Sequence, residues 1–260
     1  MAGHMAMITA CAHEAALVRR RLHVQQHATG SAGRVWRGVL QHQDVVLLQC
    51  GMGPERAAQG VLWLEQQYQL VGVLSVGFAG GLQAELRPGE ALLVTHIGVE
   101  GDMARPASCA VDSRIRPAAR LSHIAAMAVA QAAVVSHTGS LLSTSTIIAQ
   151  ATAKQALGQQ SGALAVDMES YSIGQIAAQR RIPFAVLRTV FDAVHENMPL
   201  PVLACTTADG FVRPLSLAGS LACHPSLLGQ LPHWWWASQV AGRHLQRWLE
   251  YFFLLLSQGA

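Results

Sequence analysis

The strongest constraint in this sequence is a series of short apolar runs, rich in β-branched residues, that alternate with longer helix-compatible stretches. Such runs are typical of strands that are buried on both faces. Their alternation with helices predicts an α/β domain whose central sheet is mostly parallel and covered by helices on both faces. The predicted strands are Met5–Ala10, Val45–Cys50, Val71–Val76, Ala91–Ile97 and Phe184–Val190, and the predicted helices include Pro54–Gln69, Thr152–Leu157 and Asp167–Arg181.

The composition is that of a globular chain with one large domain. Of its 260 residues, 51% are hydrophobic and only 13% are charged, so a large core is easily filled. The net charge of +3 comes without a block of basic residues, which argues against a dedicated nucleic-acid binder. The character of the sequence changes near residue 199. We therefore predict a catalytic core over residues 5–199 and a Leu-, Pro- and Trp-rich extension over residues 200–260.

The five cysteines are widely separated and form no CxxC pair. This spacing argues against a zinc site and against a disulfide framework, and it suits a reducing cytosol. No basic-then-apolar leader follows the first residues, and no apolar run reaches the length of a membrane-spanning helix. We expect a cytoplasmic protein without a metal or redox cofactor.

Two glycine-rich segments follow predicted strands. Gly51-Met52-Gly53-Pro54 precedes a helix, where a dinucleotide fingerprint, a plain tight turn and a ligand-binding turn are the alternatives. The fingerprint needs glycine or alanine where Arg56 stands, which disfavours a Rossmann site. What remains is a turn that brings backbone amides to a ligand. The second segment, Gly77–Gly81, is predicted to be a turn where backbone passes close to a bulky group.

Acidic residues cluster at the predicted carboxyl ends of strands. Glu14 follows the first strand, Asp192 follows the last one, and Glu169 lies in the Asp167-Met168-Glu169 segment at a predicted helix start. The helix dipole alone would favour acidic residues in that segment. Arg188, however, lies inside an apolar strand, where a buried charge requires an anionic partner or a water channel. Carboxylates and an arginine at one sheet edge suit acid catalysis of a leaving group.

These residues fall within a familiar pattern. Val76–Leu82, continued by Leu86–Glu90, resembles the glycine signature of methylthioadenosine/S-adenosylhomocysteine nucleosidases and their phosphorylase relatives. Val166–Ser170 and Pro183–Asp192 resemble two further motifs of that nucleoside phosphorylase and nucleosidase superfamily. The likeness covers about Met5 to Pro199 and implies the superfamily's single-domain fold, with a partly barrel-like mixed sheet flanked by helices. It also implies a homo-oligomer.

Within the superfamily, finer details are similar to the hopanoid-associated phosphorylase subfamily, which acts on adenosylhopane. They are Cys50–Ala57, Leu164–Ser170, and a C-terminal extension with Asp209-Gly210 before a Leu/Pro-rich run. The resemblance implies release of adenine from adenosylhopane to give ribosylhopane. Methylthioadenosine/S-adenosylhomocysteine nucleosidase and futalosine hydrolase are alternatives within the enzyme class. A nucleoside-binding protein without catalysis is the alternative outside it.

The resemblance also implies roles for single residues. Asp192 would protonate N7 of the departing purine, Glu169 would bind the ribose hydroxyls, and Met168 would pack under the sugar. Glu14 and Arg188 would position the attacking water. The remaining residues expected to contact the substrate are Met52, Phe78, Ala79, Gly80, Ile147, Ile148, Asp167 and Phe191.

Two departures from the family pattern bear on the substrate. Phe78 stands where a small hydroxyl residue is usual, and Phe191 stands where serine is usual. They either fill core volume or shape the pocket for an apolar substrate. No arginine adjoins Gly77–Gly81, as phosphorylases of the superfamily often have, which favours water as the nucleophile while phosphate stays a candidate co-substrate.

The C-terminal segment His233–Leu256 combines a tryptophan cluster with arginines. Aromatic rings beside arginines suit the membrane interface, and a lipid-linked nucleoside would lie there. The sequence therefore predicts either peripheral contact with the inner face of the membrane, or a helix that packs on the domain or in an oligomer interface.

Overall fold

The computed structural model describes residues 3–100, 114–199 and 228–259, together with positions 207, 213, 216 and 223. The described residues form nine strands and six helices. In chain order these are β1 His4–Thr9, α1 Ala12–Arg19, β2 His23–Gly30, β3 Gly33–Leu40, β4 Gln43–Gln49, α2 Pro54–Gln67, β5 Leu70–Gly81, β6 Ala91–Val99, α3 Ala119–Gln131, β7 Ser136–Ser143, α4 Ala151–Ser161, β8 Ala165–Asp167, α5 Ser170–Gln179, β9 Phe184–Asp192 and α6 Leu231–Ser257.

The strands form one mixed sheet in the order β2-β3-β4-β1-β5-β8-β7-β6-β9. Because β9 also pairs with β5, the strands β5, β8, β7, β6 and β9 close into a ring. Five strand pairs are parallel and four are antiparallel. The predicted α/β domain with a partly barrel-like mixed sheet and flanking helices is confirmed.

Two apolar clusters cover opposite faces of the sheet. One contains α1, α3 and α6 residues against alternate positions of β5 and β9, such as Leu74 and Leu187. The other contains α2 and α5 residues against the intervening positions, such as Val73 and Val186. Successive strand residues point to opposite faces, so strands that are buried on both sides read as continuous apolar runs.

Strand β5 is longer than predicted, and the predicted turn at Gly77–Gly81 is wrong. These glycines continue the strand, because its ladder with β9 extends to the pair Gly80 and Asp192. The predicted strand ended at Val76 because glycine has a low strand propensity. Pairing with β9 along this segment, and with β8 at Gly80 and Gly81, holds the glycines extended.

The helix predicted to begin at Asp167 begins later. Asp167 ends the short strand β8, Glu169 is the N-cap residue of α5, and the helix covers Ser170–Gln179. The sequence analysis also missed the β2–β3–β4 hairpins, because β2 is almost wholly exposed and has no apolar alternation.

Helix α6 packs on the domain along much of its length. Trp248, Phe252 and Phe253 are fully buried, and the indole of Trp248 donates a hydrogen bond of 2.8 Å to the carbonyl of Ala125 in α3. The division into residues 5–199 and 200–260 stays a prediction, and most of residues 200–227 lie outside the described part of the chain. Across the described residues, no helix has the length and apolar content needed to cross a membrane.

Candidate active site

A cavity of about 360 Å³ lies where β1, β4, β5 and β9 end and where α1 and α5 begin. This volume is in the range of small-molecule sites. All the residues that the sequence analysis selected line it: Glu14, Met52, Phe78, Ala79, Gly80, Ile147, Ile148, Asp167, Met168, Glu169, Arg188, Phe191 and Asp192. Their individual roles stay predictions.

Arg188 forms the centre of a carboxylate cluster at one end of the cavity. Its NH2 atom lies 3.0 Å from Asp167 Oδ2 and 3.4 Å from Glu169 Oε2, and its NH1 atom lies 3.6 Å from Glu14 Oε1. The arginine is only 1% exposed. These carboxylates are the anionic partners that a guanidinium inside an apolar strand requires. They raise its pKa above its ordinary value, against the effect of burial.

Glu14 is held by backbone amides of the segment between β1 and α1 and of strand β5. Its Oε2 atom accepts hydrogen bonds from the amides of Ala10 and Cys11, just after β1, and its Oε1 atom accepts one of 2.8 Å from the amide of Phe78 in β5. A Cβ atom at Gly77 would overlap the Glu14 carboxylate and the Arg188 guanidinium. The absence of a side chain at Gly77 is therefore a condition for this cluster.

Glu169 connects the cluster to the first glycine segment. The amide of Gly53, which has a φ of 110°, donates a 3.0 Å hydrogen bond to Glu169 Oε1. The predicted amide-presenting turn thus binds a carboxylate of the protein itself. Burial, with the nearby charges of Asp167 and Glu14, raises the pKa of Glu169 to about 7, although Arg188 and the Gly53 amide oppose this shift. Near neutral pH this carboxyl can exchange a proton.

Asp167 directs its oxygens at the protein rather than into the cavity. Ser143 donates a 2.5 Å hydrogen bond to Oδ1, and the amide of Ser170 donates one of 3.2 Å to Oδ2. With Arg188 also on Oδ2, both oxygens have partners in the fold. These contacts fix the start of α5, and with it the neighbouring Glu169.

Asp192 lies apart from the arginine cluster and pairs with a residue that the sequence analysis missed. Lys154 of α4 is fully buried, and its Nζ atom lies 2.6 Å from Asp192 Oδ2 and 2.5 Å from the carbonyl oxygen of Ala193. Burial raises the pKa of Asp192, and Lys154 opposes this effect. The sequence contains one feature that could have drawn attention to this residue, because Lys154 is its only lysine.

An aromatic wall extends from the cavity to the start of α6. Phe78 lies 5.7 Å from Phe191 between ring centroids, and Phe191 stacks on Trp234 at 5.7 Å. His13 lies 5.8 Å from Phe78, and its Nε2 atom is 3.0 Å from the Ser238 hydroxyl oxygen of α6. His13 and Trp234 were not selected from the sequence, because their contacts depend on how α6 packs.

A second cavity, of about 410 Å³, lies between β6, α3 and β9. Its described lining is apolar or hydroxyl-bearing except for His123, with no carboxylate. Perturbed titratable groups and converging polar atoms mark reactive sites, and they occur at the first cavity. Within the described ranges, no group of three or more His, Cys, Asp or Glu side chains is arranged to hold a metal ion.

The sequence of residues 4–204 matches the Phosphorylase superfamily. The chain belongs to this superfamily. The match covers the strands and helices that form the cavity, apart from α6. Membership confirms the predicted enzyme class, a purine nucleosidase or nucleoside phosphorylase.

Solved structures of the same fold cover almost the whole chain. The 5′-methylthioadenosine/S-adenosylhomocysteine nucleosidase of Neisseria meningitidis, in complex with methylthio-immucillin-A, has a TM-score of 0.73 at 18% identity, over 97% of this chain and 99% of that chain. Futalosine hydrolase of Helicobacter pylori has a TM-score of 0.70 at 16% identity, over 96% and 98%. The S-adenosylhomocysteine nucleosidase of Streptococcus pyogenes has a TM-score of 0.69 at 15% identity, over 96% and 97%. At these identities the likeness is one of fold.

Proposed function

We propose that this chain cleaves the N-glycosidic bond of an adenine nucleoside, and that its substrate is adenosylhopane, which gives adenine and ribosylhopane. One observation carries the proposal. A single cavity has a carboxylate–arginine cluster at one end, a buried acid at another position, and an aromatic wall that leads to the surface. These parts suit the sugar, the base and an apolar 5′ substituent.

Asp192 is the proposed general acid. A purine leaves readily when N7 takes a proton as the glycosidic bond breaks. Burial raises the pKa of Asp192, so the carboxyl keeps its proton to higher pH than an exposed aspartate would. A pure binding protein has no use for such a group, which argues against the non-catalytic alternative.

The arginine cluster is the proposed sugar site. Gly77 adjoins Glu14 and Arg188, whereas Gly80 adjoins Asp192. Gly80 follows Gly77 by three steps along the strand, or roughly 10 Å, which leaves room for a nucleoside between cluster and acid. Glu169 would bind the ribose hydroxyls with Met168 under the ring, and negative charge nearby stabilises an oxocarbenium-like sugar.

Water is the proposed nucleophile, oriented by Glu14 and Arg188. The described cavity lining contains two basic side chains, Arg188 and His13. Three carboxylates already surround Arg188, and burial lowers the pKa of His13 below its ordinary value. A phosphate ion would therefore meet a site that is dominated by negative charge.

The aromatic wall supports an apolar 5′ substituent. Phe78 and Phe191 continue into Trp234 of α6, and beyond it Trp235 and Trp236 are 67% and 48% exposed. A hydrophobic chain leaving the cavity would run along these rings. Exposed tryptophans beside it suit peripheral membrane contact, where such a substrate is dissolved.

The test is adenine release from adenosylhopane and from methylthioadenosine, each with and without phosphate. We expect release from adenosylhopane that does not depend on phosphate, and release that is slower by roughly a hundredfold or more in the matched Asp192→Asn variant. Efficient turnover of methylthioadenosine alone would instead favour a methylthioadenosine/S-adenosylhomocysteine nucleosidase. Activity on futalosine alone would favour futalosine hydrolase. Binding without turnover would favour the nucleoside-binding alternative.

A further inference from the structure

We infer that Lys154 is a positioning residue for Asp192, whose proton it confines to the oxygen that faces the substrate. The inference rests on the proposed function, in which Asp192 donates that proton to the purine. It assigns a task to the only lysine of the chain, which lies in α4, outside the motifs that identify the family.

The contacts of Lys154 leave its ammonium little freedom. The side chain is fully buried, and Nζ binds Asp192 Oδ2 at 2.6 Å and the carbonyl oxygen of Ala193 at 2.5 Å. A buried charge is tolerated only with such partners, and removing one of them is costly. The two acceptors come from adjacent residues at the end of β9, so the ammonium fixes the aspartate relative to that strand.

An ammonium group has three donors and no acceptor. Its positive charge disfavours a proton on the oxygen that it contacts, Oδ2, so the ion pair places a proton of the carboxyl on Oδ1. A Cβ atom at Gly80 would lie 3.3 Å from Oδ1, so the missing side chain leaves this oxygen open to the cavity. Among the described residues other than Asp192 itself, no donor binds Oδ1.

The charge of Lys154 also stabilises the product of the transfer. As the glycosidic bond breaks, the O–H electron pair stays on Oδ1, the N7 lone pair forms the new N–H bond, and Lys154 keeps all its protons. The resulting carboxylate lies in an ion pair. Among the described residues, Glu196 also faces the pair and tends to keep Asp192 protonated, and the imidazole of His233 lies 2.7 Å from Glu196.

A merely structural lysine and a positioning lysine predict different pH profiles. Without the ammonium, burial acts on Asp192 unopposed, so its pKa rises and it becomes a weaker acid. In Lys154→Met we expect kcat to fall about tenfold or more, because both the orientation and the strength of the acid change. The basic limb of kcat/KM should move to higher pH. KM should change little, since Lys154 does not line the cavity.

The experiment compares the wild type with Lys154→Met, Lys154→Arg and Gln155→Met, an exposed control on the same helix. Adenine release is measured across pH, and the Asp192 carboxyl is titrated by ¹³C NMR, assigned through Asp192→Asn. Lysine labelled at ¹⁵Nζ gives a single side-chain signal that reports the pair directly. In Lys154→Met we expect the basic limb of kcat/KM to move to higher pH and the pKa of the Asp192 carboxyl to rise. Lys154→Arg and Gln155→Met should have the pH profile of the wild type. In Asp192→Asn the chemical shift of the Lys154 Nζ signal should change.

Two results would overturn the inference. One is a Lys154→Met variant whose basic limb of kcat/KM and whose Asp192 carboxyl titration stay at the wild-type pH. The other is an unchanged chemical shift of the Lys154 Nζ signal in Asp192→Asn. If Lys154→Met does not fold, Lys154→Arg and the Nζ signal of the wild type against Asp192→Asn still decide. Failure of the proposed function is distinguishable, because the wild type would then release no adenine from any nucleoside. The two NMR measurements need no substrate and decide the pairing in that case.

Discussion

The backbone amide of Gly53 donates a 3.0 Å hydrogen bond to Glu169 Oε1 and so joins the start of α2 to the N-cap residue of α5, across 116 residues of sequence. The other carboxylate oxygen of Glu169 contacts Arg188. Glu169 is therefore held from two sides, with burial as the main influence on its protonation.

Replacing Glu169 should remove a pH dependence of stability. Burial raises the pKa of Glu169 from an ordinary 4.5 to about 7. Between these values the unfolded chain releases a proton that the folded chain retains, so this group lowers the free energy of unfolding as pH rises through that window. The Tm of Glu169→Gln should therefore rise relative to the Tm of the wild type as the pH increases from 4.5 to 7, and the difference should stay constant above pH 7. Thermal denaturation at several pH values measures it, and a constant difference would contradict the shift.

Asp192→Asn should abolish most of the adenine release. Loss of a general acid reduces rates by roughly 10²- to 10⁴-fold. Asparagine has nearly the same shape, so substrate binding should persist. Single-turnover kinetics with equilibrium binding of an adenine nucleoside separates the two effects, and a rate within a factor of two of wild type would exclude Asp192 as the acid.

The same variant should be unstable for a separate reason. Asp192→Asn leaves the fully buried Lys154 ammonium without its anion. Breaking a buried pair on one side costs about 3 to 5 kcal/mol. Adding Lys154→Met to Asp192→Asn removes the orphaned charge, so the double variant should regain part of that stability in denaturant unfolding. A double variant less stable than Asp192→Asn alone would show that the ion pair is not the source of the loss.

Gly77→Ala should disrupt the carboxylate cluster. The added methyl group would overlap Glu14 and Arg188, whereas a Cβ atom at the control position, Gly229, has no heavy atom within 4 Å. Forcing a methyl group into a packed site costs about 1 to 3 kcal/mol. We expect a lower Tm and a strong loss of activity in Gly77→Ala and neither in Gly229→Ala. Equal behaviour of the two variants would refute the steric argument.

Substitutions in the tryptophan cluster should affect substrate recognition and membrane contact separately: recognition at Trp234, and membrane contact at Trp235 and Trp236. Trp234→Ala removes the ring stacked on Phe191, an interaction worth about 0.5 to 1.5 kcal/mol beyond its buried area. It should lower kcat/KM for a nucleoside with a long apolar 5′ group by up to about tenfold, which is about 1.4 kcal/mol. Turnover of methylthioadenosine, measured in parallel, should change less. An equal loss on both substrates would argue against a role in the 5′ subsite.

Replacing Trp235 and Trp236 together by serine should instead weaken co-sedimentation with anionic liposomes. Both rings are exposed, so the fold should be retained. Deleting the whole of α6 would not be informative, because Trp248, Phe252 and Phe253 belong to the core. Unchanged sedimentation of the double variant would exclude membrane contact through these side chains.

The sequence predicted the strands best where both faces are buried. Val45–Cys50 and Ala91–Ile97 differ from β4 and β6 by one or two residues at their ends. It missed β2, whose exposed residues have no apolar period, and it ended β5 too early, because the glycine-rich segment Gly77–Gly81 resembles a turn.

By itself, the sequence determined the class of fold and the end of the sheet where polar residues gather. Apolar periodicity sets which segments are buried, and a charge such as Arg188 inside an apolar strand demands an anionic partner. Only the tertiary structure decided which partner each group has. Lys154 meets Asp192 across 38 residues, and Trp234 meets Phe191 from a helix outside the family motifs. Such contacts depend on how α4 and α6 pack against β9, and no local spacing of residues encodes that packing.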